Sequence, residues 1–305
     1  MSRPPFCALP PGTRAGRLKT RRGEFAMLDA VPAGREEAPA GTVLLVPGFT
    51  GSKEDFIALL APLTAAGYRA VAVDGRGQYE SAVTETGAVA RSAYGLGALA
   101  EDVLAQAEAL GQEPVHLVGH SLGGLIARGA VLRAVAAGRA QPFASLTLVA
   151  SGPGRVASWQ RWKVRALSAC LPLLGPRRVW RLVTRRPEPG EVGDFMRRRW
   201  LANAPEQLLV TGRTLRHEPD RVARLAAAGL PVHVVSGERD GAWPVPLLDR
   251  MSDRLRAHRT VIRGAGHSPN AERPLATAAA LVAFWAGVPA VPPSLAGSGA
   301  ERLSR

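Results

Sequence analysis

One stretch constrains this chain more than any other: an apolar run that stops at a glycine, then a serine, then at once a helix. Pro114-Val115-His116-Leu117-Val118 is apolar and β-branched at two positions, which reads as a buried strand. Leu122 to Ala137 carries Leu125, Ile126, Ala130, Val131 and Ala134 at helical spacing. Between them, Val118-Gly119-His120-Ser121-Leu122-Gly123-Gly124 has to make a hairpin-sharp turn. Such a turn pushes the serine into strained backbone angles, and glycines flank it because a Cβ there would collide. The hydroxyl is lifted off the end of a sheet and set at a helix N-terminus, where main-chain N–H groups favour developing negative charge.

Strands and helices alternate on either side of this turn. Leu18–Arg22 and Phe25–Ala30 read as an antiparallel start, and Thr42–Val46 as a central strand. A helix over Lys53–Ala66, a strand over Tyr68–Val73 and a helix over Leu96–Leu110 lead to the serine turn. Beyond it come strands Phe143–Ala150, Leu230–Ser236 and Arg259–Ile262, with helices Asp220–Ala228, Pro246–Ala257 and Pro274–Trp285. This alternation predicts a mostly parallel sheet wound on both faces.

A serine hydroxyl is a poor nucleophile at neutral pH and needs a base to take its proton. Histidine suits the task, its unperturbed pKa lying near 6.5. His116 and His233 fall inside strands, His217 and His258 in helix or helix-end contexts, and His120 directly before the serine. Only His267, in Gly264-Ala265-Gly266-His267-Ser268-Pro269, sits in a glycine-flanked loop after a late strand, free to project. The base in turn needs an acceptor to fix its tautomer.

With Gly119, Ser121 and Gly123 in the pattern G-x-S-x-G, the sequence resembles the α/β-hydrolase family over roughly residues 15–286. Asp74-Gly75-Arg76-Gly77-Gln78-Tyr79-Glu80-Ser81 is similar to that family's D-x-R-G-x-G-x-S loop, with Tyr79 in place of a glycine. The resemblance implies an eight-stranded, mostly parallel twisted sheet with helices on both faces and an inserted helical cap. It implies Ser121 as nucleophile, His267 as base, and Asp240, in Gly237-Glu238-Arg239-Asp240, as the acid, with Glu238 as the alternative. The oxyanion hole falls to the backbone N–H groups of Phe49, in Pro47-Gly48-Phe49-Thr50-Gly51-Ser52, and of Leu122, with Gly119, His120 and Gly123 supporting the elbow. Pro47 stands where family members often have histidine, a departure in loop support.

The core is expected over 15–150 and 219–286, the cap over 151–218, and disordered tails over 1–14 and 287–305. Residues 152–217 hold 14 Lys+Arg against 4 Asp+Glu, so this segment carries +10 of the chain's +14. Trp159, Trp162, Ala166 and Cys170 share one helical face there, with cations between them. Three readings of this basicity stay open: a solvated outer face, a weak contact with an anionic membrane surface, or a pocket for an anionic substrate. No nucleic-acid module is recognisable and no apolar run is long enough to span a membrane. Two distant cysteines, Cys7 and Cys170, fit a reducing cytoplasm and no metal-ligand spacing.

The expected activity is hydrolysis of a carboxylic ester, small or monoacylglycerol-like, through an acyl-enzyme, with neither metal nor organic cofactor. The same triad could serve thioester or C–C hydrolysis or perhydrolysis, and the same fold could act as a small-molecule receptor without turnover.

Overall fold

In β3 (Gly41–Val46) every side chain from Thr42 to Val46 is buried, because both faces of the strand are covered. The computed structural model, which describes residues 1–34, 38–81, 89, 92–111, 114–139, 141–184 and 189–289, places this strand in an eight-stranded sheet. The other strands are β1 (Thr13–Thr20), β2 (Gly23–Ala30), β4 (Tyr68–Val73), β5 (Val115–His120), β6 (Phe143–Val149), β7 (Val232–Gly237) and β8 (His258–Ile262). Their order is β1-β2-β4-β3-β5-β6-β7-β8, antiparallel across β1/β2 and β2/β4 and parallel elsewhere. The doubly wound, mostly parallel sheet read from the alternation is therefore present.

Helices α1 (Ile57–Ala65), α2 (Leu96–Ala109) and α3 (Leu122–Ala136) connect the first parallel strands. After β6 come α4 (Ser158–Val183), α5 (Glu191–Ala202), α6 (Pro205–His217) and α7 (Val222–Ala226). Helix α8 (Val245–Leu255) joins β7 to β8, and α9 (Pro269–Glu272) and α10 (Pro274–Ala286) follow. The period-two alternation of the strands sorts the core. Leu44 and Val46 pack with Leu99, Val103, Leu125 and Val131 of α2 and α3, whereas Val43 and Leu45 pack with Ile57, Leu60 and Leu63 of α1 and Leu281 and Trp285 of α10.

Helices α4, α5 and α6 build a third, separate core from Leu171, Val179, Trp180, Phe195, Met196, Trp200 and Leu208. Gly175, at φ 71 and ψ 163, breaks α4 into two pieces, and Pro176 beside it cannot carry the helical hydrogen bonds through.

Several local expectations are corrected. Residues 1–14 are not a free tail: Ser2 is buried under α5, and β1 begins at Thr13, earlier than Leu18. The segment from Lys53 opens as a 3-10 turn, Lys53–Phe56, before α1. Asp220 is outside α7 and its carboxylate accepts the Val222 amide, so that the helix starts later than its composition suggests. His258 opens β8 and is not at a helix end. Most of the tail expected over 287–305 lies outside the described residues.

Candidate active site

Ser121 links β5 to α3 at φ 54 and ψ −117, a conformation that non-glycine residues rarely adopt. It is held there by main-chain bonds, its amide donating to Val149 at 2.8 Å and its carbonyl accepting from Gly124 at 3.0 Å. A Cβ on Gly119 would run into the Gly123 carbonyl, and one on Gly123 into the carbonyls of Val46 and Pro47. The elbow is thus tight on both sides, as the turn required.

The three side chains singled out in the sequence meet. His267 Nε2 lies 3.0 Å from Ser121 Oγ, and His267 Nδ1 lies 2.9 Å from Asp240 Oδ1. The Asp240 carboxylate is fully buried and also accepts the Ala242 amide at 2.9 Å. Being an acceptor, it holds the proton on Nδ1 and leaves the Nε2 lone pair facing the serine hydroxyl.

Glu238, the alternative acid, is occupied elsewhere: it takes the Gly264 amide at 2.9 Å and so ties the acid loop to the histidine loop. Those two loops touch at Gly237, where a Cβ would strike the carbonyls of Ala265 and Gly266. Glu272 clamps the histidine loop from the other side, accepting the amides of Gly266 and Ser268 at 2.6 and 3.0 Å. His120 adds a third hold by donating from Nε2 to the His267 carbonyl at 2.9 Å. Burial, and then the nearby His267, push His120 down to about 4, so it is neutral at physiological pH.

Gly48 packs against the elbow, since a Cβ on it would come 3.1 Å from Ser121 Cβ and 3.2 Å from His120. Gln78, buried under this loop, donates from Nε2 to the Gly48 carbonyl at 2.8 Å and accepts the Gly75 amide at 3.0 Å. With the carbonyl fixed, the planar peptide aims the Phe49 N–H the opposite way. Leu122 is the first residue of α3, where amides have no intrahelical acceptor. Neither amide has a main-chain or side-chain acceptor among the described residues.

The base of the loop rests on Asp74, which accepts the amides of Lys53 and Glu80 at 2.7 and 3.1 Å and pairs with the Lys53 ammonium at 3.2 Å. Tyr79, the departure from the family loop, contacts the helical segment: its ring meets Phe195 edge-on at 5.6 Å.

A cavity of about 260 Å³ opens onto Ser121 and His267. Phe49, Val164, Leu167, Trp200 and Leu215 give it apolar walls, so α4, α5 and α6 roof the serine. Met1 and Ser2 also line it, and the Ser2 carbonyl accepts from Arg199 at 2.6 Å. Arg199 pairs with Asp55 at 2.6 Å, both side chains almost wholly buried, which ties α5 to the turn that follows the Phe49 loop.

Composition and spacing do not single out Gln78, Glu272 or the Asp55–Arg199 pair, because each acts on main chain or across elements far apart in sequence. Gln78 does carry one signal, its place between Gly77 and Tyr79 in the loop similar to the family's D-x-R-G-x-G-x-S pattern.

A family model described as "Alpha/beta hydrolase family" matches residues 43–280. The chain is 37% identical over 100 residues to "Putative carbamate hydrolase RutD" of Agrobacterium fabrum (strain C58), a match spanning 33% of this chain and 36% of that relative's length. Among solved structures, a thermophilic esterase from Thermogutta terrifontis superposes with TM-score 0.69 at 23% identity, covering 90% of this chain and 99% of that one. An enol-lactonase from Burkholderia xenovorans LB400 does so with TM-score 0.70 at 18% identity, covering 89% and 100%. The two structural likenesses are of fold.

Proposed function

This chain belongs to the alpha/beta hydrolase family, and from that premise we propose that it cleaves carboxylic esters through an acyl-enzyme on Ser121. The observation that carries the reading is His267, which touches the Ser121 hydroxyl with one ring nitrogen and the Asp240 carboxylate with the other.

Ser121 Oγ attacks the ester carbonyl while His267 Nε2 takes its proton; Asp240 steadies the imidazolium that results. The tetrahedral oxyanion is held by the Phe49 and Leu122 N–H groups, donors already in place before charge develops. His267 then returns the proton to the departing alcohol, and a water deprotonated by the same nitrogen releases the acid. The apolar walls favour an uncharged acyl chain of modest size. The same attack suits a carbamate carbonyl, a second reading favoured by the partial likeness to the Agrobacterium relative. Free Cys7 and Cys170 support a cytoplasmic setting.

Fluorophosphonate labelling, followed by a p-nitrophenyl ester series of increasing chain length, tests the proposal. Wild type should be labelled and should turn over short esters, and Ser121→Ala should do neither. Labelling without turnover of any ester or carbamate would overturn the substrate class and favour a receptor.

A further inference from the structure

The two sides of α4 do different things. Taking about 100° per residue, Trp159, Trp162, Ala166, Ala169 and Leu173 fall within an arc of about 80° on one side of the helix, and Gln160, Val164, Leu167 and Leu171 lie on the other. The second set faces inward, with Gln160, Val164 and Leu167 lining the cavity over Ser121 and Leu171 buried in the third core. Of the first set, Trp162 (70% exposed) and Leu173 (82% exposed) face out freely, while Trp159 is anchored by donating to the Gly241 carbonyl at 3.0 Å. After the break at Gly175, Leu182 is exposed as well, whereas Val183 turns to the cavity.

Every charge on α4 is positive, from Arg161, Lys163, Arg165, Arg177, Arg178 and Arg181. Arg177 and Arg181, with Arg197 of α5, surround a hollow of about 320 Å³ floored by Trp180 and Leu201. None of these three arginines has a carboxylate partner among the described residues.

Exposed tryptophan and leucine ringed by cations match the chemistry of a bilayer interface, where apolar groups enter the headgroup boundary and the cations meet lipid phosphates. A second copy of this chain fits poorly, since it would bring the same positive face against this one. Among the described residues no helix is long and apolar enough to cross a membrane, so contact would be at the surface.

We propose that the outer face of α4, with the three-arginine hollow beside it, docks this protein on an anionic lipid bilayer. Docking stands apart from the esterase reading. What rests on that reading is the consequence that one helix wall, lipid on one side and cavity on the other, receives ester substrate from the bilayer.

The test is co-sedimentation of the full chain carrying Ser121→Ala, which removes hydrolysis as a complication. The vesicles are phosphatidylcholine alone, or equal parts phosphatidylcholine and phosphatidylglycerol, at low and at physiological salt. Binding should require phosphatidylglycerol and weaken with salt. Trp162→Ser with Leu173→Ser should weaken it about tenfold, as should Arg177→Gln with Arg181→Gln. All four positions are exposed, and circular dichroism confirms folding.

No sedimentation with anionic vesicles, or binding indifferent to both pairs of substitutions, would overturn the docking surface. So would equally tight binding to duplex DNA that ignores the Trp162/Leu173 pair, which would mark a general polyanion patch. Ester turnover by wild type that vesicles leave unchanged, with docking intact, would remove only the delivery route.

Discussion

Gln78 is the residue through which the proposed oxyanion hole can be perturbed without touching it. Its amide bridges the Gly75 N–H and the Gly48 carbonyl at 3.0 and 2.8 Å, and the side chain is 4% exposed. Gln78→Met keeps length and volume but leaves both main-chain groups without a partner, at about 1–3 kcal/mol for each buried one. Gln78→Glu keeps an acceptor for Gly75 but sets a carboxylate against the Gly48 carbonyl, so it isolates the second bond. Losing an oxyanion donor outright typically costs about 100- to 1000-fold in rate. A donor that is tilted should cost less, because hydrogen bonds weaken steeply only below about 120°. We therefore expect kcat to fall about 10- to 100-fold in both variants, with KM within about threefold, since the amide binds the transition state and not the ground state. A boronic acid that forms a tetrahedral adduct on Ser121 should lose affinity in step with kcat/KM. If kcat of Gln78→Glu stays within twofold of wild type, the link from Gln78 through Gly48 to Phe49 is wrong.

Two further outcomes follow from buried charge. Arg199→Met strands the buried Asp55 carboxylate and should destabilise the fold by about 3–5 kcal/mol in denaturant titrations. Adding Asp55→Asn should recover part of that loss; an Arg199→Met protein as stable as wild type would refute the pair's role. Burial holds His116 and His120 at about 4 and His233 at about 3, below the ordinary 6.5. Between pH 6.5 and about 4 the unfolded chain therefore binds protons that the fold refuses, and stability present above 6.5 is lost as pH falls. Each such histidine steepens the slope by up to about 1.4 kcal/mol per pH unit. His233→Asn should flatten the slope by one histidine's share, and a slope unchanged by that substitution would count against the assignment.

The sheet was legible because its strands are buried on both faces and so read as continuous apolar runs, Thr42–Val46 above all. Boundaries were less legible where a side chain competes with the backbone, as Asp220 does by taking the Val222 amide. Ser121, His267 and Asp240 could be named because each stands at a strand's C-terminal end in a loop short enough to carry its own signature. Residues that hold those loops have no such mark: Glu272 binds amides on either side of His267, and Gln78 binds a carbonyl 30 positions away. Main-chain partners leave no complementary residue in the sequence, so a side chain's role toward them shows only when the chain is folded.

The N-terminal segment makes the same point by failing differently. Disorder is expected over 1–14, and no helix or strand begins before Thr13. Irregular is not the same as unpacked, however. The Ser2 carbonyl bonds Arg199, whose other guanidinium nitrogen holds Asp55, in the turn just before α1 begins at Ile57. A segment with no pattern of its own thereby closes a chain of contacts from the cavity wall to the turn after the Phe49 loop, one that requires both ends of Arg199 to be occupied at once.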